Sequence, residues 1–181
     1  SFVLNGTYDG VTELTAQMIG KLGKAFVVND GTAFYLKGHS DNYPTGFGTI
    51  TIGATSTTYY NSNFDQTVHA ADYGHLYLQY KNKTFDGPTN IAGHLYVYSG
   101  TNDEISVNMG RFEHTIGYNI ADNPDVKGKS SILSTGTVTM NGNRAQVIYK
   151  RTDGTYEFNN LIFTSSDPTN SQTKTISGNI K

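Results

Sequence analysis

The feature of this chain that most constrains its fold is a four-residue phrase, Gly-His-Leu-Tyr, which occurs at residues 74–77 and again at 93–96. Each copy opens a segment in which polar or aromatic residues alternate with Leu or Val, the period-two pattern of a β-strand. The histidine and the tyrosine of each copy therefore fall on one face of a strand. Two strands that are close in sequence each place an imidazole and a phenol on one surface.

The composition favours strands and turns over helices. Charged residues make up 15% of the chain, against about 25% in an average globular domain. Thr, Ser, Asn and Gly take their place, and these residues favour strands, turns and polar loops. The 13 Tyr and 9 Phe supply buried area that the low apolar fraction of 36% would otherwise lack. Cysteine is absent, which excludes disulfides and thiolate metal sites.

One stretch has the pattern of a helix. In residues 12–22, Leu14, Met18 and Leu22 recur every four residues, and Gly23 can end the helix. The remainder reads as short strands between turns. The strongest turn sequences are Asn29-Asp30-Gly31, Asp86-Gly87-Pro88, Asn141-Gly142-Asn143 and Asp153-Gly154.

Roughly nine to eleven short strands predict an all-β fold, an antiparallel meander barrel or barrel-like sandwich with one short N-terminal helix. We expect a single β-rich domain over residues 1–181. If it is subdivided, the polar stretch 121–130 would separate an N-terminal ligand-binding part from a C-terminal meander. Two short phrases 19 residues apart do not indicate a solenoid. In an antiparallel hairpin, His75 and His94 would lie at opposite ends, too far apart to share one iron.

Charge and motifs exclude several functions. The net charge is −2 and the basic residues are scattered, which argues against nucleic acid as a partner. No apolar run approaches the ~18 residues that a membrane helix requires, so no membrane insertion is expected. The nucleophile elbow, the zinc-protease motif and phosphate-binding glycine loops are all missing. We therefore expect a protein that is not an enzyme; an enzyme whose carboxylates converge only in the fold is the third alternative.

Histidines and aromatic residues in two loops are the strongest candidates for a binding site. His39 lies in a glycine-rich segment with Tyr43 and Phe47, and His69 lies close to Tyr73. Haem requires an axial base, an apolar slot and aromatic walls. We predict that these five residues bind a cofactor and that the cofactor is haem.

The predicted metal ligands are His39 and His69, with His114 as the third candidate. Neutral imidazole is a good iron ligand, and these histidines, unlike the repeated pair, are free of the hairpin constraint. For any one histidine, a surface position or a hydrogen-bonded strand position is the more common role.

A sugar-binding function competes with haem binding. In this alternative the protein is a β-sandwich adhesin or a lectin-like module that binds glycan or a host surface. Tyr43, Tyr59, Tyr60 and Tyr73 would stack on pyranose rings, with Asn and Asp as partners for sugar hydroxyls. Trp, the best stacking platform, is absent.

The closing third of the chain carries a resemblance. Residues 134–149, STGTVTMNGNRAQVIY, and residues 175–180, TISGNI, resemble the small eight-stranded barrels of transferrin-binding protein B-like domains and of haemophilins. The resemblance implies an exported haem carrier, secreted or at the surface of a bacterium, that delivers haem to an outer-membrane receptor. We expect such a carrier to be a monomer.

Overall fold

The protein consists mainly of short strands with alternating buried and half-buried side chains. The structure is a computed structural model that describes residues 1–4, 11–39, 42–100, 104–122, 128–150, 153–165, 173–177 and 180–181. In chain order the strands are β1 (Phe2–Leu4), β2 (Val11–Leu14), β3 (Ala25–Val28), β4 (Ala33–Leu36), β5 (Thr49–Ile52), β6 (Thr57–Asn61), β7 (Gln66–Val68), β8 (Asp72–Tyr73), β9 (His75–Gln79), β10 (Lys83–Phe85), β11 (Thr89–Ile91), β12 (Leu95–Tyr98), β13 (Glu104–Gly110), β14 (Glu113–Ile116), β15 (Ile120–Asp122), β16 (Lys129–Met140), β17 (Gln146–Tyr149), β18 (Thr155–Phe163) and β19 (Lys174–Ser177).

The strands form three parallel sheets. Sheet 1 has the order β19-β17-β15-β12-β9-β6-β4-β2. Sheet 2 has the order β7-β10-β13-β16-β14-β11-β8, with β18 paired to β16. Sheet 3 has the order β1-β3-β5. The chain passes from sheet to sheet and returns one rung further along, which makes a β-solenoid of about six turns.

The predicted antiparallel barrel or sandwich is therefore wrong. Every pairing between described strands is parallel. A turn in this fold leads to the next sheet of the same coil. A hairpin turn, by contrast, would return the chain beside the strand it has just left. Asn29-Asp30-Gly31 is such a corner, between β3 and β4, and Gly31 has a φ of 72°.

Coil length varies along the solenoid. The register of sheet 1 advances 18 residues from Thr57 to His75, 19 from Leu76 to Leu95 and 28 from Ile120 to Ile148. The two Gly-His-Leu-Tyr phrases are thus successive rungs of one stack, and the expectation that they do not mark a solenoid is corrected.

The core is a set of columns that run along the solenoid axis. In sheet 1, the column Phe34, Thr58, Leu76, Leu95 and Ile120 points inward, and each of these side chains is fully buried. Parallel strands place identical positions one above another, so apolar side chains of neighbouring coils pack directly on each other.

Small residues are required at the corner before sheet 1. A Cβ on Gly74 would overlap the carbonyl oxygens of Ser56 and Gly53, and one on Gly117 would overlap the carbonyl of Ala92. Glycine there lets successive coils approach closely enough for the ladder hydrogen bonds, such as Gly93 N–H to the Gly74 carbonyl at 2.8 Å.

The predicted N-terminal helix is also wrong. Residues 11–14 form β2, which pairs with β4, and Ile19 bridges to Thr45. The described residues contain no helix. In particular, none of them forms a helix of the length and apolarity that a membrane span requires.

The possible boundary at 121–130 falls partly on residues 123–127, which lie outside the described residues. Strand pairing continues across this possible boundary in both large sheets. In sheet 1, β12 pairs with β15 and β15 with β17, and in sheet 2, β13 pairs with β16.

Candidate functional site

A ladder of tyrosines runs along the outer face of sheet 1. Tyr35, Tyr59, Tyr77 and Tyr96 are register partners in successive coils. Their ring centroids are 4.1, 4.7 and 4.4 Å apart, and the interplanar angles are 5°, 37° and 33°. Parallel in-register strands fix this spacing, since neighbouring strands lie about 4.8 Å apart.

The histidines of the repeated phrase form a second column beside the ladder. The rings of His75 and His94 are stacked, with centroids 5.3 Å apart. His75 Nδ1 accepts a hydrogen bond from the backbone N–H of His94 at 3.2 Å. The expectation that an antiparallel hairpin would separate these two histidines is wrong, because parallel stacking places equivalent positions side by side.

Burial lowers the pKa of both histidines, and for His94 the neighbouring His75 lowers the pKa further. Burial likewise raises the pKa of Tyr77, helped by Tyr96 and Tyr59. Near neutral pH the imidazoles of His75 and His94 are therefore neutral, and the Tyr77 phenol is protonated.

Amide side chains form a third column on the other side of the ladder. Asn61 and Gln79 are register partners, and Asn61 Nδ2 donates a hydrogen bond to Gln79 Oε1 at 2.5 Å. Lys37, directly after β4, lies at the end of this column. It is paired with Glu13 at 2.5 Å, and its ammonium lies 5.7 Å from the Tyr35 ring centroid. We call the Tyr35–Tyr59–Tyr77–Tyr96 ladder with its flanking His75–His94 and Asn61–Gln79 pairs the aromatic face.

A second feature is a cleft of about 480 Å³ between β5 and the segment 69–72. We call it the His69 cleft. Tyr43, Phe47 and His69, three of the predicted cofactor-binding residues, line it together with Asp72. Tyr43 is buried and stacks on His69, with centroids 4.7 Å apart.

A network behind the cleft holds His69 in place. His69 Nδ1 is 2.8 Å from Asp86 Oδ2, and the His69 side chain is 37% exposed. The Tyr73 hydroxyl donates to the His69 carbonyl at 2.7 Å, and the His69 N–H donates to the Tyr60 hydroxyl at 3.0 Å. Tyr73, also predicted as a cofactor-binding residue, is buried and supports the cleft from within.

The structure does not bring the other predicted ligands to this place. His39 is exposed and stacks on Phe64 with centroids 3.7 Å apart. His114 is buried, and its Nδ1 and Nε2 atoms are engaged with Thr89 Oγ1 at 2.8 Å and the Met109 carbonyl at 2.9 Å.

The prediction of a metal-binding protein is also corrected by the positions of these side chains. Among the described residues, no group of three or more His, Asp or Glu side chains is placed to hold a metal ion. Haem binding, export and delivery to a receptor stay predictions from the sequence.

The tyrosine ladder was not predicted from the sequence, although Tyr59 was a candidate sugar platform. Tyr35, Tyr59, Tyr77 and Tyr96 are separated by 24, 18 and 19 residues, so no fixed repeat marks them. The sequence feature that could have indicated the stacked coils is a glycine shortly before each of five successive strands of sheet 1. These glycines are Gly53, Gly74, Gly93, Gly117 and Gly142.

No protein-family model matches the chain, and no curated protein or solved structure is significantly similar to it. The function must therefore be inferred from the geometry of the aromatic face and the His69 cleft.

Proposed function

We propose that the protein is a glycan-binding β-solenoid that binds an extended, uncharged polysaccharide strand along the aromatic face. The observation that carries the proposal is the ordered tyrosine ladder flanked by columns of neutral hydrogen-bonding groups. This proposal keeps the ligand of the lectin-like alternative and moves the site from Tyr-rich loops to a sheet.

Stacking within the ladder determines what each ring offers a ligand. The ring faces largely cover one another, so a ligand meets mainly the ring edges, and the Tyr77 side chain is hydrogen-bonded to that of Tyr96. The tilts of 37° and 33° on either side of Tyr77 leave part of the ring faces open there. C–H surfaces of a sugar can pack against these rings, while the phenol hydroxyls donate to and accept from sugar hydroxyls.

The flanking columns suit a hydroxyl-rich ligand. The amides provide donors and acceptors, as sugar hydroxyls do. The Nδ1 atoms of His75 and His94 accept backbone N–H groups, so these neutral imidazoles offer a ligand their Nε2–H donors. Lys37, the lysine at the edge of the aromatic face, is already paired with Glu13. A neutral polymer therefore fits this face better than a polyanion, which would need several unpaired cations.

The rigidity of the face favours binding. Each ladder ring is half-buried and held by its neighbours, so little side-chain entropy remains to be lost when a ligand binds. A linear glycan can contact several rungs at once, and weak contacts at each rung then add along the strand.

The test is a screen of neutral polysaccharides followed by calorimetry on hydroxyl-deletion variants. Tyr59→Phe with Tyr77→Phe keeps the ring stack and removes two hydroxyls. We expect this double variant to bind about five- to 150-fold more weakly, at about 0.5–1.5 kcal/mol for each of the two lost hydrogen bonds. Thr84→Val deletes an exposed hydroxyl on sheet 2 and serves as the matched control.

Two results would refute the proposal. One is that no neutral polysaccharide binds the wild-type protein. The other is that the double variant binds with wild-type affinity, which would leave the ladder with a purely structural role. Urea unfolding of each variant shows whether a loss of binding reflects a loss of fold.

A further inference from the structure

The His69 cleft lies where the stacking of sheets is interrupted. β5 is the edge strand of sheet 3 and β8 is the edge strand of sheet 2, and no ladder joins these two described strands. The two segments converge at one end, where Gly74 lies against the Gly53 carbonyl. Towards Thr49 and Ala70 they separate, and the cleft opens between them.

The charges at the cleft are negative. Asp72 is exposed and lines the cleft, and it forms no ion pair with a described residue. Asp86 lies behind His69 and accepts the Ala70 N–H at 2.6 Å. The described residues that line the cleft include no Lys or Arg.

The Tyr43 hydroxyl lies within this negative field. Burial is the main cause of its raised pKa, and the charges of Asp72 and Asp86 raise the pKa further. A negative potential of this kind favours a positively charged ligand.

Aromatic rings form the wall beside these carboxylates. Phe47 is half-buried, and its ring lies against Gly20, where a Cβ would collide with it. The imidazole of His69 lies on the Tyr43 ring, which covers that face of Tyr43. Phe47 also packs on Phe26, with ring centroids 5.4 Å apart. A ligand in the cleft would therefore contact the part of the Phe47 ring that Gly20 and Phe26 leave open and the face of His69 turned away from Tyr43.

We propose that the His69 cleft binds a compact organic ammonium ion, held by the Asp72 carboxylate and by the rings of Phe47 and His69. A cation within about 6 Å of an aromatic centroid is attracted by the ring quadrupole, and aromatic pockets recognise quaternary ammonium groups in this way. An ammonium group also lacks acceptors, which suits a cleft whose charged groups are carboxylates.

The experiment is an NMR titration of the full chain with choline, following the His69 and Phe47 ring signals. The uncharged isostere 3,3-dimethylbutan-1-ol and the neutral sugar methyl glucoside are titrated in parallel. We expect saturable shifts with choline, much weaker shifts with the isostere, and weaker choline binding at high salt because exposed charges are screened.

Two variants test the roles of the residues. Asp72→Asn is expected to weaken choline binding by about fivefold, the order expected for one exposed ion pair. Asp153→Asn, an exposed carboxylate outside the cleft, is the matched control and should bind choline as the wild type does. Phe47→Leu should weaken binding while keeping an apolar side chain at that position.

Several outcomes would overturn the inference. Equal binding of choline and its isostere would show that charge has no role. Unchanged affinity in Asp72→Asn would remove the carboxylate from the site. Shifts with methyl glucoside and none with choline would make the cleft a sugar subsite. Glycan binding at the aromatic face is tested on another sheet and stands or fails independently.

Discussion

Replacing Tyr77 tests whether the tyrosine ladder stabilises the solenoid through ring-to-ring contacts. Tyr77 has two ring neighbours in the ladder, at 4.7 and 4.4 Å, whereas Tyr35 has one, at 4.1 Å. An aromatic pair contributes roughly 0.5–1.5 kcal/mol beyond the area it buries. Tyr77→Leu should therefore lower the free energy of unfolding by about 1–3 kcal/mol through the loss of its two ring pairs, and Tyr35→Leu should lower it by about half as much.

A double-mutant cycle isolates the pair energy. For Tyr59 and Tyr77, which are in contact, we expect a coupling of about 0.5–1.5 kcal/mol. For Tyr35 and Tyr96, which lie at opposite ends of the ladder, the coupling should be zero within about 0.5 kcal/mol. The second pair controls for general effects of removing two tyrosines from this face.

The assay is urea unfolding followed by circular dichroism and by tyrosine fluorescence, which the absence of Trp makes readable. Coincident transitions from the two probes establish that a single free energy of unfolding applies. The reasoning is refuted if Tyr59 and Tyr77 show no coupling, or if the distant pair couples as strongly as the adjacent one.

Three further predictions concern glycine packing, acid stability and a buried lysine. Gly74→Ala should lower the free energy of unfolding by about 3 kcal/mol or more, because its Cβ meets fixed backbone. Gly31→Ala, whose Cβ lies in open space, should lower it by only the roughly 1–2 kcal/mol of a left-handed residue. Equal shifts of the urea midpoint in the two variants would contradict this reasoning. Burial lowers the pKa of His114 below its ordinary 6.5, so the unfolded chain protonates first and stability falls as the pH drops below 6.5. His114→Gln should show a smaller loss of urea midpoint on acidification, and a wild-type slope would exclude this role. Burial lowers the pKa of Lys83 from 10.5 to about 7, so wild-type stability should rise with pH between these values. Lys83→Met should be more stable than the wild type at about pH 6, with a smaller advantage at about pH 10, and a gain independent of pH would contradict this.

The sequence predicted most strand positions because alternation is a local property. The segments opened by the two repeated phrases, for example, correspond to β9 and β12. Strand direction is not encoded in that alternation, since inward and outward residues alternate in both parallel and antiparallel strands. Asn29-Asp30-Gly31 was equally ambiguous, because a hairpin and a solenoid corner both use a glycine with positive φ.

The false helix has a similar cause. Leu14, Met18 and Leu22 have helical spacing, but the pairing of β2 with β4 determines the local structure of residues 11–14. The structure leaves Leu22 strongly exposed, so the spacing did not reflect a shared buried face.

Part of the candidate site could be predicted from local sequence and part could not. Tyr43 and Phe47 are close in the chain, and both line the His69 cleft; their role in binding stays a prediction. Which histidine joins them depends on how coils stack, and this selects His69 over His39. The contact between His75 and His94 likewise depends on parallel stacking.

The unequal length of the coils has a consequence for engineering. The inward column of sheet 1 stays in register although each coil advances by 18 to 28 residues; part of the extra length lies in longer strands of sheet 2, such as the 12-residue β16, and the rest lies in the corners. Foreign peptides grafted at a corner of the longer coils should be displayed without disturbing the stack, at a loop-closure cost that grows only slowly with length. Peptides displayed at the corners would thus be structurally separate from the stacked columns that stabilise the solenoid.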